Sequence, residues 1–309
     1  MKTIVAALLL GSSVTFGAPP EAETFSARSN LRARRVVESA IAALGGADAM
    51  RAALSFTVRE TGTQYQLFQS ATPDPPFTPW GVEQTIVVDL PSGRAAGEGR
   101  LRSTTSPYEW WTRTIVTGRT GYDVNLKLGT AIALESPSLA DFPAWTRRLP
   151  HNLLAEARER SGTLRWLGTE TDRGVACEVV SFAPAGGGQL AVYVDAATRL
   201  VVRFESLYTS NVAGDTSLVT LYKPYRDAGN TKVPSGRTIL NAGHVSQETD
   251  YVEVRIDDRP PDRAFALPDG VTIQRAVDAE PRVVELARDV YLVADVPGGY
   301  NVLFVAFDE

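Results

Sequence analysis

The sequence predicts a mainly β fold of the α+β class. It consists of a large curled antiparallel sheet, or half-barrel, with an N-terminal helix, a helical insertion and a C-terminal β-hairpin. Three observations lead there. Between residues 55 and 256, β-branched and aromatic runs recur roughly every 8–14 residues. The segments joining them are mostly of hairpin length and hold Gly, Pro or Asp where a tight turn needs them. Helical punctuation or periodicity is confined to 31–54 and 139–160. A sheet with that many strands is too long to stay flat, so it should curl, with the helical pieces over its concave side or one end.

In 31–44, Ala33, Val37, Ala40, Ile41 and Leu44 fall on one apolar stripe. Ser29 or Asn30 can cap the start, and Gly45-Gly46 ends the helix. Asp48 can cap a shorter helix over 49–54. Strands are then expected at 55–60 and 64–69, with Thr61-Gly62-Thr63 between them, and at 82–90, 99–106, 109–117 and 122–128. Pro143 and Pro150 punctuate the insertion, and Leu153, Leu154 and Ala157 give 152–160 an apolar stripe. Strands resume at 164–167, 176–182, 190–195, 200–208, 217–222, 237–240 and 251–256. The last alternates Val252, Val254 and Ile256 with Tyr251, Glu253 and Arg255, one face buried and one wet. Two apolar runs, 290–293 and 300–307, flank Pro297-Gly298-Gly299 and make the terminal hairpin.

The chain start reads as a secretory signal peptide over 1–18. Lys2 supplies the positive region, 4–10 the short apolar core, and cleavage is expected near Gly17 or Ala18. That apolar run is too short to span a bilayer, and no Cys near the cleavage region offers a lipid anchor. A linker is expected at 19–28, the sheet domain at 29–278 and a separate C-terminal segment at 282–309. The expected location is periplasmic or secreted. A net charge of −5 with scattered charges points neither to nucleic acid nor to an anionic membrane surface.

Few constellations carry chemistry. The single Cys177 lies in a strand pattern and reads as a buried structural thiol. The only histidines, His151 and His244, lack ligand spacing. His151, after Pro150 at a helix start, reads as exposed or capping, and His244 as part of a turn. Glu170 with Asp172, and Asp257 with Asp258, read as solvated turns rather than an acid–base pair. No nucleophile elbow occurs, Gly186-Gly187-Gly188 reads as a hairpin tip, and Arg147-Arg148 reads as a solvated basic cluster. Trp110 and Trp111 are adjacent in a strand, so their rings point to opposite faces. With Trp166 they are the candidates for lining an apolar ligand cleft, against the alternative of ordinary core packing.

Two resemblances go further. Residues 29–278 resemble the lipoprotein-carrier half-barrels of bacterial envelopes, the LolA/LolB-like fold. The likeness rests on Ala43-Leu44-Gly45-Gly46, Val192-Tyr193-Val194-Asp195, Leu221-Tyr222-Lys223-Pro224 and Phe265-Ala266-Leu267-Pro268 in that order. Residues 283–309 resemble the opening of the metallo-β-lactamase fold, through Val290-Tyr291-Leu292-Val293 and Asn301-Val302-Leu303-Phe304-Val305. Together they imply the exported N-terminal portion of a metallo-β-lactamase-fold hydrolase. A complete relative would use zinc; this chain lacks the ligand set, so no cofactor is expected in it and the portion alone is expected to be inactive. The alternative is a non-enzymatic periplasmic carrier or binding module for a lipid or lipoprotein acyl chain.

Overall fold

The computed structural model describes residues 24–68, 74–185, 187–210, 214–256, 259–274, 281–296 and 300–307. The expected signal peptide, Asp257-Asp258 and the turn at 297–299 lie outside the described residues. Two helices open the fold, α1 (Phe25–Ala43) and α2 (Gly46–Ala52). Six strands follow: β1 (Ser55–Tyr65), β2 (Pro79–Asp89), β3 (Arg94–Ser103), β4 (Glu109–Thr117), β5 (Thr120–Asn125) and β6 (Thr130–Ala133). The insertion holds α3 (Pro143–Thr146) and α4 (Pro150–Glu159). Then come β7 (Arg165–Asp172), β8 (Val175–Phe182), β9 (Leu190–Asp195), β10 (Val201–Ser210), β11 (Gly214–Tyr222), β12 (Tyr225–Ala228) and β13 (Thr231–Pro234). β14 (Gly236–Asn241), β15 (His244–Ile256), β16 (Thr272–Gln274), β17 (Arg282–Ala287), β18 (Val290–Val296) and β19 (Tyr300–Val305) complete the order.

Fourteen strands form one sheet in the order β16-β6-β5-β4-β3-β2-β1-β15-β14-β11-β10-β9-β8-β7. All neighbours are antiparallel except the edge pair β16–β6. The two halves of the chain meet where β15 returns to pair with β1. Register shifts at Arg59/Glu60, Ile239/Leu240, Val201/Arg203 and Trp166/Gly168 bend and twist this long sheet. The mainly β, curled antiparallel architecture expected from strand spacing is the one observed, with helices on one face, here called inner.

Two clusters fill the inner face. The α1 stripe residues Ala33, Val37, Ala40, Ile41 and Leu44 pack with Leu153, Leu154 and Ala157 of α4 onto Val180, Phe182, Leu190, Val192 and Val194 of the sheet. Phe56, Val58, Ile86 and Val88 meet Leu149, Val233 and Tyr251 at the centre. The outer face has its own cluster, where Phe265 covers Ala96, Ile115, Val124 and Ala131. Burying this apolar area at about 25 cal/mol per Å² is what holds helices and sheet together.

Local expectations change at four places, one of them β15, where the bulge opposite Arg59/Glu60 turns Tyr251 inward and leaves Val252 48% exposed. Residues 55–65 form one unbroken strand, so Gly62 is not a turn. A Cβ there would lie 2.0 Å from the Glu248 carbonyl oxygen, so the glycine serves a close backbone approach. Helix α1 starts at Phe25, inside the expected linker, and Thr24 caps it by accepting from the Ala27 amide at 3.2 Å. Ser29 and Asn30, the expected caps, lie within the helix and tie it to the β7 segment instead, Ser29 donating to the Trp166 carbonyl and Asn30 to those of Ser161 and Leu164. At the C-terminus, β18 and β19 pair as the expected hairpin, with Val293 opposite Val302, and β17 extends it to a three-stranded meander.

A candidate ligand cleft on the inner face

Strand register writes the cleft across the sheet. Trp110 stands opposite Leu101, Leu101 opposite Val82, and Val82 opposite Gly62. One step along, Thr112, Gly99, Gln84, Glu60 and Tyr251 form the next row. Glu60 points inward because it follows Phe56 and Val58 at the two-residue period of a strand. The same alternation on β14 and β15 brings in Arg237 opposite Thr249 and Ile239 opposite Gln247.

Helix α3 roofs these rows. Phe142 stacks on Trp145 at 4.6 Å, and Trp145 lies on β3 where Gly97 leaves room. A Cβ at Gly97 would stand 2.5 Å from the Trp145 ring, so only glycine admits the indole. Beside that contact a cavity of about 310 Å³ stays open between roof and sheet. Val82, Ile86, Leu101, Ile239 and Trp145 supply its apolar wall; Gln84, Thr112, Gln247, Arg148 and Arg237 supply the polar one. At the rim Trp80, Tyr108 and Trp110 make a ladder of rings, 5.7 and 6.2 Å between centroids.

A sealed charge cluster forms part of the wall. Arg148 donates from Nη2 to Glu60 Oε1 at 2.6 Å and from Nη1 to the Ala144 carbonyl at 2.8 Å. Arg237 approaches the same Glu60 oxygen at 3.4 Å and bonds Gln247 at 3.2 Å, while Thr249 donates to Glu60 Oε2 at 3.2 Å. Glu60 and Arg148 are each 1% exposed and Arg237 4%. Burial alone would raise the Glu60 carboxyl, but the two guanidinium groups outweigh it and hold it below its usual range. Burial and the Arg237 charge pull Arg148 down, yet a guanidinium starts so high that it keeps its proton at neutral pH. Two cations therefore face one anion, and the Nε of each arginine is buried without a partner.

The three tryptophans do not share one site. Trp110 is on the inner face at the rim and is 53% exposed. Trp111 faces outward, donates to Glu98 at 3.0 Å and lies beneath the Arg100 guanidinium. Trp166 packs against the α1–α4 cluster with Arg32 over its ring at 3.5 Å. Sequence reasoning missed Trp145, Glu60, Arg148 and Arg237. Arg148 is a correction to the solvated reading, since Glu60 and the Ala144 carbonyl compensate its burial. Inward alternation at Glu60 was the one signal that could have found the cluster.

Other candidates settle elsewhere. His151 is fully buried rather than exposed, with Nε2 2.8 Å from Thr231 Oγ1, and Thr231 in turn donates to the Leu44 carbonyl. That links α4, β13 and the end of α1. Burial pushes the His151 pKa down to about 4. His244 opens β15 and meets Phe77 edge-on at 5.2 Å. Asp172 is buried and paired with Arg203 at 2.9 Å, so it is no solvated turn, while Glu170 is exposed. Cys177 is a buried free thiol on the outer face, packed with Val179 and Tyr193, and burial raises its pKa.

A larger depression of about 510 Å³ lies on the outer face over Glu83, Thr85, Glu98, Arg100 and Trp111. Its charged walls are already paired, Arg100 with Glu109 and Trp111 with Glu98. The inner cleft instead combines apolar wall with unpaired buried donors, which favours it as the ligand site. Among the described residues, no group of three His, Cys, Asp or Glu side chains could hold a metal ion, and no helix is long and apolar enough to cross a membrane.

No protein-family profile matches the chain, and no curated protein sequence does. Solved structures do. The chain is similar to a LolA superfamily protein from Nitrosomonas europaea at 12% identity and TM-score 0.44, over 76% of this chain and 97% of that one. It is also similar to a structure described as an outer membrane lipoprotein-sorting protein domain from Vibrio parahaemolyticus, at 9% identity and TM-score 0.46, over 75% and 97% of the two chains. At these values the likeness is one of general chain course. The metallo-β-lactamase resemblance of residues 283–309 finds no support in these comparisons.

Proposed function

We propose that this chain is an exported, non-enzymatic binding module that holds an apolar ligand, such as a lipid acyl chain, in the inner cleft. One observation carries the reading: the cavity of about 310 Å³ between Trp145 and the sheet, walled by Val82, Ile86, Leu101 and Ile239. Pockets that take small molecules run from about 300 to 1,000 Å³, so this one suits a single chain rather than a bulky multi-acyl group. The glycines of β3 create the space, Trp145 of the α3 roof covers part of it, and the ring ladder at the rim offers an apolar entrance. The signal-peptide pattern at 1–18 supports an envelope or secreted location.

The test is a titration with N-phenyl-1-naphthylamine, a neutral apolar fluorophore, on the full chain and on Gly99→Leu. A Cβ at Gly99 has nothing nearer than Gln84 Cβ at 3.8 Å, so leucine there can fill the cleft without straining the strand. Saturable one-to-one binding, weakened about tenfold or more by the leucine, is the expected result. Equal binding by both chains places the ligand elsewhere, and no binding by either contradicts the reading.

A further inference from the structure

We infer that the cleft selects an anionic single-chain amphiphile, with the carboxylate head held at Arg148 and Arg237 and the chain along Val82 and Leu101. The inference rests on the binding-module reading above and names its ligand class. Its ground is the unequal count of buried charges. Arg148 and Arg237 both line the cleft, both are at least nine-tenths buried, and one carboxylate, Glu60, serves them both.

Geometry shows the shortage on the arginine side. Glu60 gives its Oε1 to both guanidinium groups, at 2.6 and 3.4 Å, and its Oε2 to Thr249. Its acceptor capacity is largely spent, while each arginine keeps a buried Nε with no partner. Gln247 and the Ala144 carbonyl add acceptors but no charge. A buried cation without a counter-charge is costly, and an incoming carboxylate that accepts from a guanidinium relieves that cost. A neutral head would leave the surplus charge as it is. The apolar wall begins beside these arginines, at Ile239 and Trp145, so head and chain fit one molecule.

The experiment compares decanoate with 1-decanol on the full wild-type chain, followed by calorimetry and Trp fluorescence. Decanoate is expected to bind about ten- to hundredfold more tightly, the range of a charge-assisted hydrogen bond over a neutral one. Arg237→Gln should erase most of that difference, read as the ratio of decanoate to decanol affinity within the same variant. If that variant fails to fold, carbon-13 NMR of carboxyl-labelled decanoate on the wild-type chain locates the head instead. Held between two arginines, the bound acid stays ionised to a lower pH than free decanoate. A titration shifted to higher pH, the signature of apolar burial without a cation, would overturn the inference. Equal affinity for acid and alcohol would overturn it too, while leaving the apolar cleft standing. Binding of neither would sink both readings.

Discussion

Arg148 in the loop after α3 donates to Glu60 on β1 at 2.6 Å, with both side chains sealed from solvent. This bond fastens the helical roof to the middle of the sheet. Tyr251 reinforces it by donating to the Arg148 carbonyl at 3.0 Å, and Tyr222 does the same to the Arg147 carbonyl at 2.7 Å. The roof that encloses the cleft is therefore pinned by polar contacts in its own wall.

Removing one side of that pin should be expensive. Glu60→Ala leaves two buried guanidinium groups uncompensated, and a broken buried pair costs about 3–5 kcal/mol. Urea unfolding of wild type and variant at pH 7 measures it. A loss below about 1 kcal/mol would mean that the cluster is not closed in solution.

Stability should also fall in mild acid, through His151. Its folded pKa is about 4 against 6.5 for an unburied imidazole, so the folded state holds it neutral. A group depressed in this way contributes fully above about pH 6.5. As pH drops from there toward about 4, the unfolded chain takes up the proton first and stability is lost, roughly 3 kcal/mol in total. Between pH 7.5 and 5.0 the wild type should lose about 2 kcal/mol more than His151→Gln in urea unfolding. Equal losses would show that the ring is accessible.

The tryptophans should separate by location. Trp166→Ala removes a ring wedged between Arg32 and the α1–α4 cluster and should cost about 3 kcal/mol. Trp110→Ala removes a half-exposed rim ring and should cost about 1 kcal/mol or less. Reversed magnitudes in the same unfolding assay would contradict the burial assigned to each ring.

How much of this was legible beforehand depends on how local the signal is. The stripe from Ala33 to Leu44 needed only helical periodicity, and all five residues are buried. Strands β4 and β9 were bounded by Pro, Gly and Asp, and their ends match. Gly62 was misread because a glycine for close approach and a glycine for a turn look alike in sequence; the difference lies in Glu248, far along the chain. Arg148 and His151 were misread for the same kind of reason. Such side chains are usually exposed, and only their distant partners Glu60 and Thr231 make burial tolerable. The cleft itself is a product of β1–β15 pairing and α3 packing, which no local pattern encodes. Strand alternation did separate Trp110 from Trp111, but it could not place Trp145 over Gly97.

An apolar chain bound by this protein should lie in the space under Trp145. Photolabelling tests it most directly. A long-chain alcohol carrying a diazirine on its alkyl tail is irradiated with the full chain, and the adducts are mapped by peptide mass spectrometry. Labels are expected on the peptides holding Val82, Leu101, Trp145 and Ile239, with loss of label when unmodified decanol competes. Labels concentrated on the exposed apolar residues Leu303, Phe304 and Phe307, or spread over the surface and indifferent to competitor, would contradict it.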